Sequence, residues 1–312
     1  MKLTIALCTY NPKPVLLRRV VDAILPQMAS RHDVEFMVID NNSSPSVQEL
    51  GVLAGLPLRI LREPRQGLTA AREAAIANAQ GELILFVDDD NILDPGYLDR
   101  VIESFADEKL GLLGGAIYPE YEAPPPKWFL EYENLIAIRR YPSSLRVTTA
   151  DFRHSDFFPV GAGFAVRRSL ARSYVEDCDR DIRIEGRKGA ALSSGEDIDL
   201  ALYVLSQGYS LMVTGALRLL HVIPSGRVNE AYIRRLARSG LVSSAEIEKK
   251  WSKRSNRGVF PLLAWPRRKV QLRRGIFWLL SPLSPKYRIK REIFSTLLKL
   301  QHTNKLGSVT GS

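Results

Sequence analysis

The chain has 312 residues, 45% of them hydrophobic, a net charge of +10 and two cysteines, Cys8 and Cys178. That length suffices for one large α/β domain with an appendage, and two cysteines so far apart fit neither a metal cluster nor a disulfide framework. From Trp251 onward there are fourteen Lys and Arg against one acid, Glu292, a net +13, whereas residues 1–250 carry thirty bases and thirty-three acids, a net −3. The basic character belongs to the tail, and without a recognised binding module it points to no nucleic-acid partner. No stretch approaches the ~18 apolar residues of a membrane span. Met1–Thr9 has one charge and no small-residue cleavage site, so it reads as a strand rather than a signal peptide. The expected location is cytoplasmic, peripheral on the inner face of the membrane.

Leu3–Leu7 is a short apolar run, the first predicted strand. Val15–Met28 places Val15, Leu16, Val20, Val21 and Ile24 at helical spacing. Val34–Ile39 is a second strand, closed by the turn-forming run Asp40-Asn41-Asn42-Ser43-Ser44-Pro45. Leu58–Leu61 is a third strand and Gly67–Ala79 an alanine-rich helix ended by Gly81. Glu82–Val87 is a fourth strand leading into Asp88-Asp89-Asp90. Apolar strands separated by helices predict a parallel sheet covered on both faces, whose ligands bind beyond the carboxyl ends of the strands. Thr9-Tyr10-Asn11, Asp40-Asn41-Asn42 and Asp88-Asp89-Asp90 fall at three such ends and converge on one crevice. Leu110–Ile117 reads as a strand, and Glu120–Trp128, with three consecutive prolines, as a stiff surface loop. Phe157–Val166 reads as a strand with close backbone approach at Gly161 and Gly163. Arg180–Ser194 reads as a mobile loop. A helix from Glu196 to about Gln207 ends at Gly208, and Ser210–Val213 and Leu217–His221 are two strands. There is no internal repeat.

The acids after the fourth strand carry the chemistry. Carboxylates about 4 Å apart at an effective dielectric near 20 repel by several kcal/mol per pair, and a cation removes that cost. Asp88 and Asp90 alternate and lean toward one point, and oxygen ligands of this kind suit Mg²⁺ or Mn²⁺ completed by substrate phosphates. Ile92 excludes an EF-hand loop and an Asp-x-Asp-x-Thr phosphatase motif. The competing reading is an acidic helix start near Asp94-Pro95-Gly96.

Five segments stand in order over roughly residues 3–222: Cys8-Thr9-Tyr10-Asn11, Ile39-Asp40-Asn41-Asn42-Ser43, Gly67–Ala79 with its Ala71-Arg72-Glu73-Ala74 core, Phe86-Val87-Asp88-Asp89-Asp90, and Gly195-Glu196-Asp197. In that order and spacing the sequence resembles family 2 glycosyltransferases. The resemblance implies the GT-A fold, a Rossmann-like α/β architecture with a mixed, mostly parallel sheet flanked by helices. It implies that Thr9, Tyr10 and Asn11 shape a nucleotide pocket, that Asp40 bonds base or ribose, and that Arg72 faces base or phosphate. Asp88 would contact the ribose or the metal's water shell, with Asp89 in the same nucleotide-sugar site. Asp90 would ligate a Mn²⁺ or Mg²⁺ ion bridging the diphosphate, with His221 a further ligand. Asp197, with Glu196 beside it, would be the general base. The donor would be a nucleoside-diphosphate sugar, UDP by default with dTDP and GDP open. The acceptor would be a saccharide or lipid-linked hydroxyl in polysaccharide or glycoconjugate synthesis.

Such a reaction needs these parts. Charge builds on the leaving diphosphate, so a cation there lowers the barrier, and inversion needs a carboxylate to take the acceptor's proton. Family 2 membership implies inversion, although retaining chemistry also occurs on the fold. From the residues alone, Glu196-Asp197 also read as a helix N-terminus, His221 as a semi-buried histidine and Arg227 as a solvated or phosphate-neutralising charge. Asp199 is a candidate to share the base's work, and Trp128 and Phe129 are either an acceptor wall or core. A sugar-1-phosphate nucleotidyltransferase needs a Gly-rich loop after strand one, and a nicotinamide dehydrogenase needs Gly-x-Gly-x-x-Gly; Thr9-Tyr10-Asn11-Pro12-Lys13-Pro14 contains no glycine. A non-catalytic membrane-docking scaffold on the same fold is the alternative of a different class, and nucleotide binding discriminates it.

The expected division is a catalytic domain over 1–225 and a helical, basic extension over 226–312. Prolines at 261, 266, 282 and 285 interrupt any long helix, while Arg267-Arg268-Lys269 and Arg273-Arg274 interleave with Ile276-Phe277-Trp278-Leu279-Leu280. Residues 251–300 therefore read as an interfacial anchor for an anionic membrane surface, or as a hairpin packed on the body.

Overall fold

The computed structural model describes residues 2–29, 31–149, 157–177, 184, 186, 195–254 and 265–309. Apart from Ile184 and Gly186, the predicted loop Arg180–Ser194 lies outside them, as do Cys178 and Pro261.

Strand β1 (Leu3–Thr9) is buried along its whole length. It lies between β2 (Val34–Asp40) and β4 (Leu83–Asp88), parallel to both, and β3 (Arg59–Arg62) extends the parallel set beyond β2. Side chains alternate across a strand. Leu3, Ile5 and Leu7 pack into one core with Leu17, Val20 and Val21 of α1 (Pro14–Met28), while Ala6 and Cys8 pack into a second with Ala71 and Ala75 of α2 (Leu68–Asn78). Pro14 begins α1, where its missing N–H is harmless. Each fully buried Leu or Ile contributes about 2 kcal/mol, so covering both faces makes this half of the sheet the stable platform beneath the crevice.

Among the described residues the sheet has nine strands, in the order β3-β2-β1-β4-β8-β6-β9-β5, with β7 pairing to β9. It is the expected mixed, mostly parallel sheet with helices against it. The short β5 (Asn91–Leu93) and α3 (Tyr97–Ser104) follow the acidic triplet. β6 (Leu110–Tyr121) outruns its predicted end, and a 3-10 helix over Lys127–Ile136 follows the three prolines. β7 (Leu145–Val147) and β8 (Ala165–Arg167) lead to α4 (Arg168–Asp177). Only Ala165 and Val166 of the strand expected over Phe157–Val166 join the ladder. Pro159 has no N–H to give, Gly163 has φ +68°, and the Gly161 N–H is committed to the Asp197 carboxylate. After α5 (Glu196–Ser206), the two strands expected over 210–221 are one, β9 (Ser210–Ile223), whose register against β6 shifts after Gly115.

The C-terminal helices are α6 (Glu230–Arg254), α7 (Arg267–Leu280) and α8 (Pro285–Val309). Ile233 and Leu236 of α6 enter one core of the sheet, Ile247 and Trp251 the other. Arg288 of α8 clamps Glu230 through Nε and Nη2, and Lys286 meets Glu131 at 2.5 Å. The extension is thus built into the body. Among the described residues no helix is long and apolar enough to cross a membrane.

Candidate active site

Register brings the strand ends together: Thr9 lies opposite Asp40, and Cys8 opposite Asp88. They border a cleft of about 620 Å³. Of the residues proposed from sequence, Thr9, Tyr10, Arg72, Asp88, Asp89, Asp90, Glu196, Asp197 and His221 line it. Asn11 and Asp40 do not. The Asp40 carboxylate accepts from the backbone N–H of Ser43 (2.9 Å) and Val47 (3.1 Å) and pairs with Arg62, so it is spent on shaping the loop after β2. Asn11 is tied to that loop, its N–H donating to Ser43 Oγ and its side-chain oxygen accepting from the Ser44 N–H. Asn41 reaches the cleft instead, donating to the Arg65 carbonyl at 2.7 Å and accepting from the Gly67 N–H that precedes α2.

Thr9 Oγ1 donates to Asp89 Oδ2. Burial, and then the neighbouring charge of Asp90, push the Asp89 carboxyl up to about 7 against that hydrogen bond. Burial likewise pushes the Cys8 thiol up to about 12, so Cys8 is a neutral wall of the cleft. Asp90 Oδ2 lies 3.4 Å from His221 Nε2 and 3.2 Å from Arg227 Nη1, while Asn91 donates to its other oxygen. His221 is placed by pairing of β9 with β5, opposite Asn91. Its Nδ1 is buried and, among the described residues, has no hydrogen-bond partner.

Among the described residues no three His, Cys, Asp or Glu side chains form a metal cluster. A carboxylate oxygen and an imidazole nitrogen facing each other still suit a cation whose other positions are filled by water and substrate phosphates. Asp90 and His221 fit Mn²⁺ or Mg²⁺ on that basis.

Arg72 joins the two acidic groups. Its guanidinium contacts Glu196 Oε1 at 3.1 Å and Asp88 Oδ1 at 4.0 Å, and donates to the Gly161 carbonyl at 3.0 Å. It lies over the rings of Phe86 and Phe164. Burial works against its charge, but Glu196 and Asp88 outweigh burial and hold its pKa above the ordinary value. Gly161 leaves room for the guanidinium: a Cβ would sit 2.5 Å from Arg72 Nη2 and displace it. Gly161→Ala is expected to cost ~1–3 kcal/mol and to weaken nucleotide binding, read by thermal unfolding and calorimetry. Unchanged values in both would remove the constraint.

Asp197 begins α5. Its Oδ2 accepts from the Gly161 N–H at 2.9 Å and its Oδ1 from the Ile198 N–H at 2.8 Å. Glu196 is bound to Arg72 and to the Gly195 N–H, which leaves Asp197 the better placed of the two to accept a proton. Asp199, two residues on, is fully buried and does not reach the cleft. It receives Lys250 Nζ at 2.5 Å, Trp251 Nε1 at 2.7 Å and Tyr174 Oη at 2.8 Å. Phe129 lies in the core, and neither it nor Trp128 lines the cleft. One wall comes instead from Leu236, Ala237, Gly240 and Leu241 of α6 and Ile293 of α8. No sequence motif marks these, although the helical spacing of small and apolar residues along α6 was a usable signal.

Residues 4–175 match the model of a family described as glycosyl transferase family 2. The chain is 25% identical over 132 residues to the succinoglycan biosynthesis protein ExoM of Rhizobium meliloti (strain 1021), covering 41% of this chain and 42% of that protein. It is 30% identical over 103 residues to the uncharacterized glycosyltransferase YwdF of Bacillus subtilis (strain 168), covering 32% and 37%. These matches span about two fifths of the relatives' length. Among solved structures, it is similar to the mannosyltransferase PcManGT from Pyrobaculum calidifontis in complex with GDP-Man and Mn²⁺, with a TM-score of 0.56 at 15% identity, covering 100% of this chain and 76% of that one. It is also similar to GalNAc-T7 with UDP, GalNAc and Mn²⁺, with a TM-score of 0.53 at 15% identity, covering 76% and 47%. These structural likenesses show the fold.

Proposed function

The chain belongs to glycosyl transferase family 2, and on that premise we propose that it transfers a sugar, with inversion, from a nucleoside-diphosphate donor to an acceptor hydroxyl, using Mn²⁺ or Mg²⁺ held by Asp90 and His221. The observation that carries this reading is Arg72, which touches the Asp88 end and the Glu196 end of one cleft and so joins a cation-binding group to a base-bearing helix. The nucleotide lies against Thr9, Tyr10 and Asn41, with Asp88 and Asp89 beside its ribose and phosphates. When bound, the cation supplies Lewis acidity at the diphosphate as the anomeric bond breaks. Arg227 adds positive charge at the same place. Asp197 takes the proton of the attacking hydroxyl, held in orientation by the Gly161 and Ile198 N–H groups.

The acceptor is a saccharide or a lipid-linked hydroxyl, and the apolar wall from α6 and α8 favours the lipid-linked form. The name of the succinoglycan relative supports a role in polysaccharide synthesis. Calorimetry with UDP, dTDP and GDP, each with Mn²⁺ and Mg²⁺, is the test. Wild type is expected to bind at least one pair, and Asp90→Ala to weaken that binding about a hundredfold or more. A wild type that ignores every nucleoside diphosphate would sink the proposal.

A further inference from the structure

We propose that the outer face of α7 is a docking surface for an anionic phospholipid bilayer, with the helix lying in the plane of the headgroups. Helix α7 has two apolar faces, and among the described residues only one is covered. Val270 and Phe277 face α8, where Val270 packs with Phe294, Leu297 and Leu298, and Phe277 stacks on Phe294 at 5.5 Å. About 200° round the helix from Val270, at i, i+4 and i+7, stand Leu272, Ile276 and Leu279. They are 66%, 44% and 69% exposed, and Trp278 and Leu283 beside them are 62% and 73% exposed. Among the described residues, six of the ten exposed large hydrophobics fall between Trp265 and Leu283.

Charge decides what covers this stripe. Helix α7 has five Lys or Arg and no acid. Arg268 and Lys269, both exposed, lie to either side of the Leu272 stripe, and Arg274 is exposed as well. An apolar stripe flanked by cations, with an exposed tryptophan at its end, is complementary to an anionic headgroup layer over acyl chains. A protein partner would have to match Arg268 and Lys269 while covering that apolar row. The helix is far too short and too charged to span a bilayer, so it lies on the surface. The hairpin closes its own core without the stripe, so substitutions there spare the fold. Helix α8, to which α7 is paired, contributes Ile293 to the cleft, so docking surface and cleft share one helix pair.

The inference does not depend on the transferase reading, because binding is measured without donor or acceptor. The full chain is sedimented with vesicles of phosphatidylcholine alone and of phosphatidylcholine with phosphatidylglycerol. Binding is expected only to the second and should fall steeply with salt. Leu272→Ser/Ile276→Ser/Leu279→Ser is expected to lower partitioning about a hundredfold or more. Arg268→Gln/Lys269→Gln is expected to lower it about tenfold or more. Both variants should keep wild-type thermal unfolding and nucleotide affinity. The proposal is overturned by absent binding to the anionic vesicles, by equal binding of the triple variant, or by light scattering that shows the stripe buried between two copies of the chain.

Discussion

Asp197→Asn is expected to lower the transfer rate by about 10²–10⁴ while leaving nucleoside-diphosphate affinity unchanged. The substitution is close to isosteric. The Asn side-chain oxygen still accepts a backbone N–H, from Gly161 or from Ile198, so the start of α5 and the strand-like passage at Gly161 are largely preserved. What is lost is the negative charge and the capacity to take a proton. Neighbouring acids are poor substitutes: Glu196 is spent on Arg72, and Asp199 is sealed beneath the helix by Lys250, Trp251 and Tyr174. Single-turnover kinetics separate this outcome from slow product release. A rate within tenfold of wild type, with affinity retained, would place the base elsewhere in the cleft.

Lys250→Met is expected to cost about 3–5 kcal/mol of stability, because it strands the fully buried Asp199 carboxylate without its cation. Two hydrogen bonds from Trp251 and Tyr174 remain, but neither neutralises the charge. Pairing the change with Asp199→Asn should recover most of the loss, since removing both charges avoids the uncompensated one. Urea unfolding of the two single variants and the double variant measures the coupling. A single-variant loss below about 1 kcal/mol would mean that water or another group solvates Asp199. The pair joins α6 to α5, whose first turn carries the proposed base, so Lys250→Met is also expected to lower the transfer rate more than it weakens nucleotide affinity.

These two predictions differ in how far they could be read from the chain. Asp197 stands in a Gly-Glu-Asp run that the family resemblance singles out. Lys250 stands in a basic stretch and looks like any solvated lysine. Its importance depends on a carboxylate 51 residues earlier, a pairing that no local pattern records. The same limit separates Asp40 from Asn41. Both lie in one polar turn after a buried strand, but the turn's backbone decides which faces the ligand. Asp40 turns inward to satisfy the N–H groups of Ser43 and Val47, and Asn41 is left on the cleft.

Apolar runs, helical spacing and turn residues act over a few neighbours, and parallel strands end on one side, so the parallel half of the sheet and the place of the cleft were legible in the chain. It also marked Asp88, Asp89 and Asp90 as a group of acids at one strand end. Which side chains share that group depends on how the elements pack. His221 arrives through pairing of β9 with β5, Arg227 through the turn after β9, and Arg72 through α2. Packing also decided that the C-terminal helices build a wall of the cleft while leaving one face of α7 bare. Charge–charge and cleft-wall contacts depend on distance in space, and chain order alone does not specify that distance.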